Sequence, residues 1–382
     1  MKKLNSSGKK TILMLHHGDS SIRGSEICFI ESAHALAAAG YWLIVLRNHP
    51  VMDKLLKPWA AELMEFNCPE LMVEGIKTCL PLRRYFRALF VLCRLIRRWS
   101  PVLLYVNGGL SCQLSVPAGR LTGVPVVCHF HHPGIRRDYY IWLVKFADHL
   151  IYPSEHTRRH SYEKAGCAGD VVYNAVDTDL FSPVPRVDSG FRKNIGIGSG
   201  LVVVGQVGAL VSHKRPHMLV HAFAKAAAQV PELHLCLVGK GPLEKDLSNL
   251  VKELGLQDRV TITGFVESVV PYYQHVIDIN VLASVEEGLG ISVLEGSSCA
   301  LPALVSNSTG LRETVIDGVT GYTFIPDNEQ SLTQSLLYLA RSRMLRRQLG
   351  KAGRELVLQK FSLPSYHTKI VNAVDSVVRR SI

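Results

Sequence analysis

Paired cysteines are what the chain most plainly lacks. Its nine cysteines stand singly, none in a Cys-x-x-Cys pair, and their number is odd. Most sit in apolar runs such as VPVVCHF and LHLCLVG. They read as reduced, buried thiols of a cytoplasmic protein, against a disulfide frame or a cysteine-metal site. Long apolar runs are missing too. None approaches the roughly 18 residues that a membrane-spanning helix needs. The apolar stretch Ile12 to Leu15 behind the basic start is too short for a signal peptide and reads as a first β-strand. Acid is the scarcer charge: 32 Asp and Glu stand against 43 Lys and Arg, a formal +11. That surplus predicts an anionic partner, whether nucleic acid, an acidic membrane face or a phosphate-bearing substrate. Aromatic–basic interleaving and any nucleic-acid reading motif are absent, so nucleic acid is not the expected partner.

What is present is alternation. The chain has 382 residues, which suits two domains. Short apolar runs at 11–15, 41–46, 102–106, 124–129, 148–152 and 171–173 alternate with helix-period stretches. A second series starts afresh at 201–208 and continues at 233–239, 260–264, 277–282 and 303–305. Strands apolar on both faces, separated by helices, predict parallel sheets covered by helices. The Pro-, Gly- and Ser-rich stretch SPVPRVDSGFRKNIGIGSG (182–200) breaks the pattern and reads as the joint. The expected fold class is therefore α/β, two Rossmann-like doubly wound domains facing a cleft: 1–185, joined by the C-terminal helix 364–382, and 195–361. Ligands of such sheets bind outside the carboxyl ends of the strands.

The candidate residues all follow strands. In HHGDSSIRGSE (16–26), Gly24 opens a helix, where bare N–H groups approach an anion. In VGALVSHKRPH (207–217), Lys214 and Arg215 stand where the next helix begins and suit a diphosphate clamp. In VEEGLGISVLEG (285–296), Gly288 and Gly290 allow a tight turn around Leu289, and a helix starts at about Ile291. Glu287 then lies in the loop. Glu295 lies roughly 6–8 Å deeper, just over one helical turn in. Two acceptors flanking an anion-favouring helix start fit a sugar, a diphosphate and a ribose. His129, at the end of VPVVCH, reads equally as a sugar-hydroxyl partner or a satisfied structural histidine. His131 and His132 invite a metal reading. No carboxylate stands at a helpful spacing, and Lys214 with the helix ends can neutralise a diphosphate, so no metal and no cofactor is expected.

The run SVEEGLGISVLEGSSCALPALVSNSTGLRETVIDGVTGYTF resembles the signature of glycosyltransferase family 4, enzymes of GT-B fold. The stretches 238–266 and 172–183 and the Gly24-Ser25-Glu26 turn match that family in order. The resemblance implies a metal-independent enzyme that retains anomeric configuration and takes a nucleotide-sugar donor. It implies Glu287 on the donor sugar, Glu295 on the ribose, Lys214 on the diphosphate, His129 near the sugar and Gly24 in a closing loop. Three positions depart. Ala209 stands where the family usually has Arg, which Arg215 does or does not replace. Leu289 stands for the common Phe and Gly296 for Ala, and both look tolerable.

Residues 82–99, LRRYFRALFVLCRLIRRW, carry six arginines and no acid. Apolar residues recur at 82, 85, 86, 89, 92, 93 and 96, with Arg83, Arg87, Arg94 and Arg98 on the opposite stripe. This is a basic amphipathic helix. Two readings stand: a helix packed on its sheet with Arg in solvent, or one that also sits on an anionic membrane surface. The second suits a glycan or glycolipid acceptor in bacterial surface polysaccharide or lipopolysaccharide synthesis, and an enzyme peripheral on the cytoplasmic face. The rival readings are a nucleotide-sugar epimerase or a sugar phosphorylase on the same architecture.

Overall fold

The structure is a computed structural model. It describes residues 8–18, 22, 24–69, 72–74, 77–79, 81–131, 133–185 and 190–380. The chain divides into two compact units, Met1–Asn174 with Pro364–Ile382, and Ala175–Leu363.

The first unit is built on seven parallel strands. β1 (Thr11–His16), β2 (Trp42–Arg47) and β3 (Glu62–Glu65) precede a two-stranded hairpin, β4 (Met72–Glu74) and β5 (Lys77–Cys79). β6 (Leu103–Asn107), β7 (Val126–His129), β8 (His149–Tyr152) and β9 (Asp170–Val171) follow. The sheet order is β3-β2-β1-β6-β7-β8-β9. All six residues of β1 and all five of β6 are buried. Both faces of these strands are covered by helices, which is why the runs read as continuously apolar. The chain reverses its winding between β1 and β6, so their carboxyl ends open at a topological switch point.

The second unit repeats the plan with β10 (Val202–Val207), β11 (Leu233–Val238), β12 (Val260–Ile262), β13 (Ile279–Leu282), β14 (Ala303–Ser306) and β15 (Gly321–Phe324). Its parallel order is β12-β11-β10-β13-β14-β15, with the switch point between β10 and β13. A core of Val204, Phe223, Leu235, Leu304 and Leu336 lies beneath helices Pro216–Ala227 and Glu329–Arg341.

Outside residues 186–189, the stretch 182–200 is not a free joint. The boundary falls earlier, after Asn174. Phe181 is buried, and its carbonyl accepts from Ser298 Oγ at 2.5 Å and Arg354 Nη1 at 3.3 Å. Residues Phe191–Asn194 form a helical turn, from which the Arg192 guanidinium donates to the carbonyls of His275, Val276 and Leu201 and to Asp278. Proline and glycine there mark irregular backbone, and side-chain anchoring makes it part of the second unit. Val176 and Ser362 form a parallel bridge, so the chain enters and leaves this unit at one place.

The eight cysteines with described side chains are free and buried. Among the described residues no helix is long and apolar enough to cross a membrane.

Candidate functional site

At the switch point of the second unit, two loops converge. After β10 the chain passes Gly208, whose φ of +133° suits glycine, and closes a short turn at Ser212–Lys214. A Cβ on Gly208 would lie 2.8 Å from Lys214 Nζ. The bare glycine lets the ammonium fold back over the strand end. After β13 comes the loop that carries Glu287. Its backbone is tied to the first loop by Val285 N–H donating to the His213 carbonyl at 2.9 Å.

Lys214 Nζ stands 3.7 Å from Glu287 Oε1, and Ser284 Oγ donates to the same oxygen at 3.0 Å. The Glu287 N–H is fixed on Thr309 Oγ1 at 3.0 Å. Gly290, with φ +91°, opens the helix Ile291–Ser298. Gly310 passes so close that a Cβ on it would lie 2.1 Å from the Gly288 carbonyl oxygen. Among the described residues the backbone N–H groups of Gly288, Leu289, Gly290, Ile291 and Ser292 have no hydrogen-bond partner. Gly288, Leu289 and Gly290 are buried. Buried amides are rarely left unpaired, and a row of them at a helix N-terminus is a seat for an anion.

Glu295 lies on the first turns of that helix. Tyr273 Oη donates to its Oε2 at 2.9 Å. Burial pushes its carboxyl pKa up to about 7, against the opposing pull of Tyr273 and of the Lys214 charge. Lys214 thus acts on both carboxylates. The helix is pinned by its Ser292 carbonyl, which accepts from Asn280 Nδ2 at 2.9 Å and Tyr273 Oη at 3.0 Å. Asn280 gives Gly296 a reason: a Cβ at 296 would lie 2.3 Å from Asn280 Nδ2. Alanine is therefore not a free exchange in this chain unless Asn280 moves. Leu289, by contrast, is a buried apolar side chain, 1% exposed.

Arg215 is placed differently. It occupies a left-handed backbone position ahead of helix Pro216–Ala227. Its guanidinium grips Asp327 through two bonds of 2.7 and 3.2 Å. Ala209 is exposed. The structure brings together Lys214, Glu287, Gly288, Leu289, Gly290, Ile291 and Glu295, and commits Arg215 to Asp327.

The first unit carries its own polar row. His16, Asn107 and His129 close β1, β6 and β7 and are register neighbours. Asn107 bonds His16 Nδ1 at 2.9 Å and His131 Nε2 at 2.7 Å. His16 Nε2 stands 3.3 Å from Glu26 Oε1, on the first turn of the helix Gly24–Ala38. His132 lies outside the described residues, so the His131–His132 metal reading is not addressed by the structure. His129 is fully buried, and burial pushes its pKa down to about 3, so the ring is neutral at working pH. Its Nδ1 meets Tyr105 Oη at 3.0 Å, and a hydroxyl chain continues through Ser32 Oγ to Tyr366 Oη. Among the described residues His129 Nε2 has no partner. The ring is thereby oriented through one nitrogen, while the other is buried.

Tyr273, Ser284, Thr309, Gly208 and Asn280 escaped the sequence reading, as did Tyr105, Asn107 and His16. The last two had a signal. The runs TILMLHH, LLYVNGG and VVCHFHH each end an apolar strand on a polar residue.

Comparisons with known proteins fall on the same two units. The family model described as Glycosyltransferase Family 4 matches residues 22–180. The model described as Glycosyl transferases group 1 matches residues 189–356. A Mycolicibacterium smegmatis GDP-mannose-dependent phosphatidylinositol monomannoside mannosyltransferase is 30% identical over 56% of this chain. The chain spans 59% of that relative's length. An Escherichia coli UDP-Gal:α-D-GlcNAc-diphosphoundecaprenol galactosyltransferase is 25% identical over 77% of this chain and 80% of its own. In fold, the Anabaena protein HepE, solved with UDP and glucose, superposes with a TM-score of 0.82 at 20% identity, over 96% of this chain and 100% of its own. A Rickettsia africae glycosyltransferase gives 0.81 at 20% identity, over 97% and 99%. These are GT-B proteins, and each Rossmann-like unit here has that design. Taken together, the two family matches leave out little more than the termini and residues 181–188: the chain belongs to glycosyltransferase family 4.

Proposed function

We propose that this glycosyltransferase moves a hexose, with retention, from a nucleotide diphosphate sugar to a hydroxyl of a glycan or lipid-linked acceptor. The observation that carries the reading is the Lys214 ammonium set against two carboxylates, Glu287 and Glu295, beside five unpartnered N–H groups at a helix start. The amides and Lys214 hold the diphosphate. Glu287 accepts from sugar hydroxyls, and Glu295 from the ribose hydroxyls. In transfer, the bond from the anomeric carbon to the diphosphate oxygen breaks and one to the acceptor oxygen forms. The acceptor proton leaves to the departing diphosphate on the same face. Charge development on that diphosphate is stabilised by groups already in place, and this is where such sites gain most of their rate. No metal ligand enters this account, because the amides and Lys214 supply the positive field.

The test is a thermal-shift screen with UDP, GDP and ADP sugars at millimolar concentration. One donor is expected to raise Tm by several degrees, and Lys214→Ala is expected to abolish that shift. A chain stabilised by none of them, or equally stabilised without Lys214, overturns the assignment.

A lipid-linked acceptor, in bacterial surface polysaccharide synthesis on the cytoplasmic face of the membrane, is supported by helix Leu82–Trp99 and by the lipid-linked acceptors named for the two bacterial relatives. The helix buries Tyr85, Leu92, Cys93 and Ile96. Leu82 and Phe86, expected on the packed stripe, are 51% and 62% exposed, and Phe90 is 60% exposed. These three form an i, i+4 apolar ridge beside exposed Arg83, Arg87 and Arg94. An apolar ridge with flanking arginines suits the headgroup boundary of an anionic bilayer. Flotation with anionic liposomes is expected to carry the wild type. The variant with Arg83, Arg87, Arg94 and Arg98 changed to Glu should stay in the bottom fraction, and equal flotation of both ends the membrane proposal.

A further inference from the structure

The second unit has a cavity of about 830 Å³. It is lined by Val202 at the start of β10, Asp278 just ahead of β13 and Pro302 just ahead of β14. It therefore lies at the amino ends of the strands, the opposite end of the sheet from Glu287. Its volume is within the range of about 300–1,000 Å³ of small-molecule sites.

Its charge is one-sided. Arg192, Lys193, Arg343, Arg346 and Arg347 line it, against the single acid Asp278. Two of the cations are structural. Arg192 is spent on Asp278 and three carbonyls, and Arg346 donates to the Leu339 and Ala340 carbonyls at the end of helix Glu329–Arg341. The side chains of the other three, Lys193, Arg343 and Arg347, have no ion pair or hydrogen bond among the described residues. All three are exposed. Arg343 opens an 18-residue helix, where the macrodipole disfavours cations. Three arginines within its first five residues are an electrostatic cost that a bound anion removes.

We propose that this cavity is a second ligand site, separate from the donor site, that takes a small phosphate-bearing anion. Lys193, Arg343 and Arg347 grip the phosphate, and Arg192 and Arg346 stiffen the walls. The site accounts for part of the chain's surplus of 11 positive charges that the donor loops leave unexplained.

The test uses the full chain carrying Lys214→Ala, which removes the cation of the donor site. Calorimetric titration is run with inorganic pyrophosphate, a hexose phosphate and a nucleoside monophosphate as separate arms, which identify the phosphate source. At least one arm is expected to bind with a sub-millimolar Kd. Adding Arg343→Ser with Arg347→Ser should weaken it tenfold or more, and the exposed Lys193→Ala alone should weaken it severalfold. Absence of binding in every arm, or binding that Lys193→Ala and the arginine pair leave unchanged, overturns the proposal. Neither donor nor turnover is read, so the outcome is independent of the donor assignment.

Discussion

Glu287→Gln is expected to lower transfer by two to three orders of magnitude while leaving the melting temperature within about a degree or two of wild type. The carboxylate is held by three devices: the Ser284 hydroxyl on Oε1, the Thr309 hydroxyl on its N–H, and Lys214 at 3.7 Å. Glutamine keeps the shape and still accepts from Ser284. It loses the charge that balances Lys214 and that strengthens as the sugar becomes cationic in the transition state. Removing one preorganised electrostatic group typically costs about 10²–10³ in rate. The stability cost is small, because the Lys214–Glu287 pair is loose at 3.7 Å and glutamine keeps the Ser284 bond. The measurement is steady-state transfer with the donor found by thermal shift, together with a melting curve. The loss should fall on kcat more than on KM. Turnover close to wild type would remove Glu287 from the chemistry, and a collapsed melting curve would make it a structural residue.

The sequence made the sheets legible because their central strands are buried on both faces. β10 and β11 read VVVGQV and LHLCLV, and nearly every residue is buried in place. Two of the four edge strands, β3 and β15, were not legible. β3 is ELME with both glutamates exposed, and no apolar run announces it. β15, GYTF, has four residues, two of them only half-buried, so it reads as part of a loop. The grouping of Lys214, Glu287 and Glu295 was legible as a spacing at strand-to-helix junctions. What positions them was not, because Tyr273 and Thr309 reach the site from other elements and Ser284 folds back on Glu287 within its own loop, and spacing carries no information about such contacts. Helix Leu82–Trp99 shows the same limit: periodicity gave its bounds, but only packing decides how much of an apolar stripe a neighbour covers. Leu82 and Phe86 fall outside that cover. Composition misled at 182–200, where a single guanidinium with four acceptors outweighs the looseness that proline and glycine suggest.

Glu295→Gln should separate stability from function. In the folded chain this carboxyl has its pKa raised from 4.5 to about 7, chiefly by burial. A raised pKa means that the fold favours the neutral form. The carboxyl's contribution is therefore whole below about pH 4.5, and it is lost as pH climbs toward 7 and the buried group must ionise. Glutamine never ionises and keeps an oxygen for Tyr273. Denaturation in urea is expected to show Glu295→Gln close to wild type at pH 4.5 and more stable at pH 8, by about 1–3 kcal/mol. Donor binding should move the other way. Two ribose hydroxyls need an acceptor-only carboxylate, and glutamine offers one oxygen and an unwanted donor. Donor affinity should fall tenfold or more. In the wild type, donor binding near pH 6 should release a fraction of a proton, as hydroxyl donors and Lys214 favour the ionised form. The variant should release less. Parallel stability curves from pH 4.5 to 8 would show that the carboxyl does not titrate in the fold as described. Donor binding by Glu295→Gln equal to wild type would show that Glu295 does not hold the ribose. On the proposed reading, the free chain carries at Glu295 a charge that its burial disfavours, and donor hydroxyls would be what satisfies it.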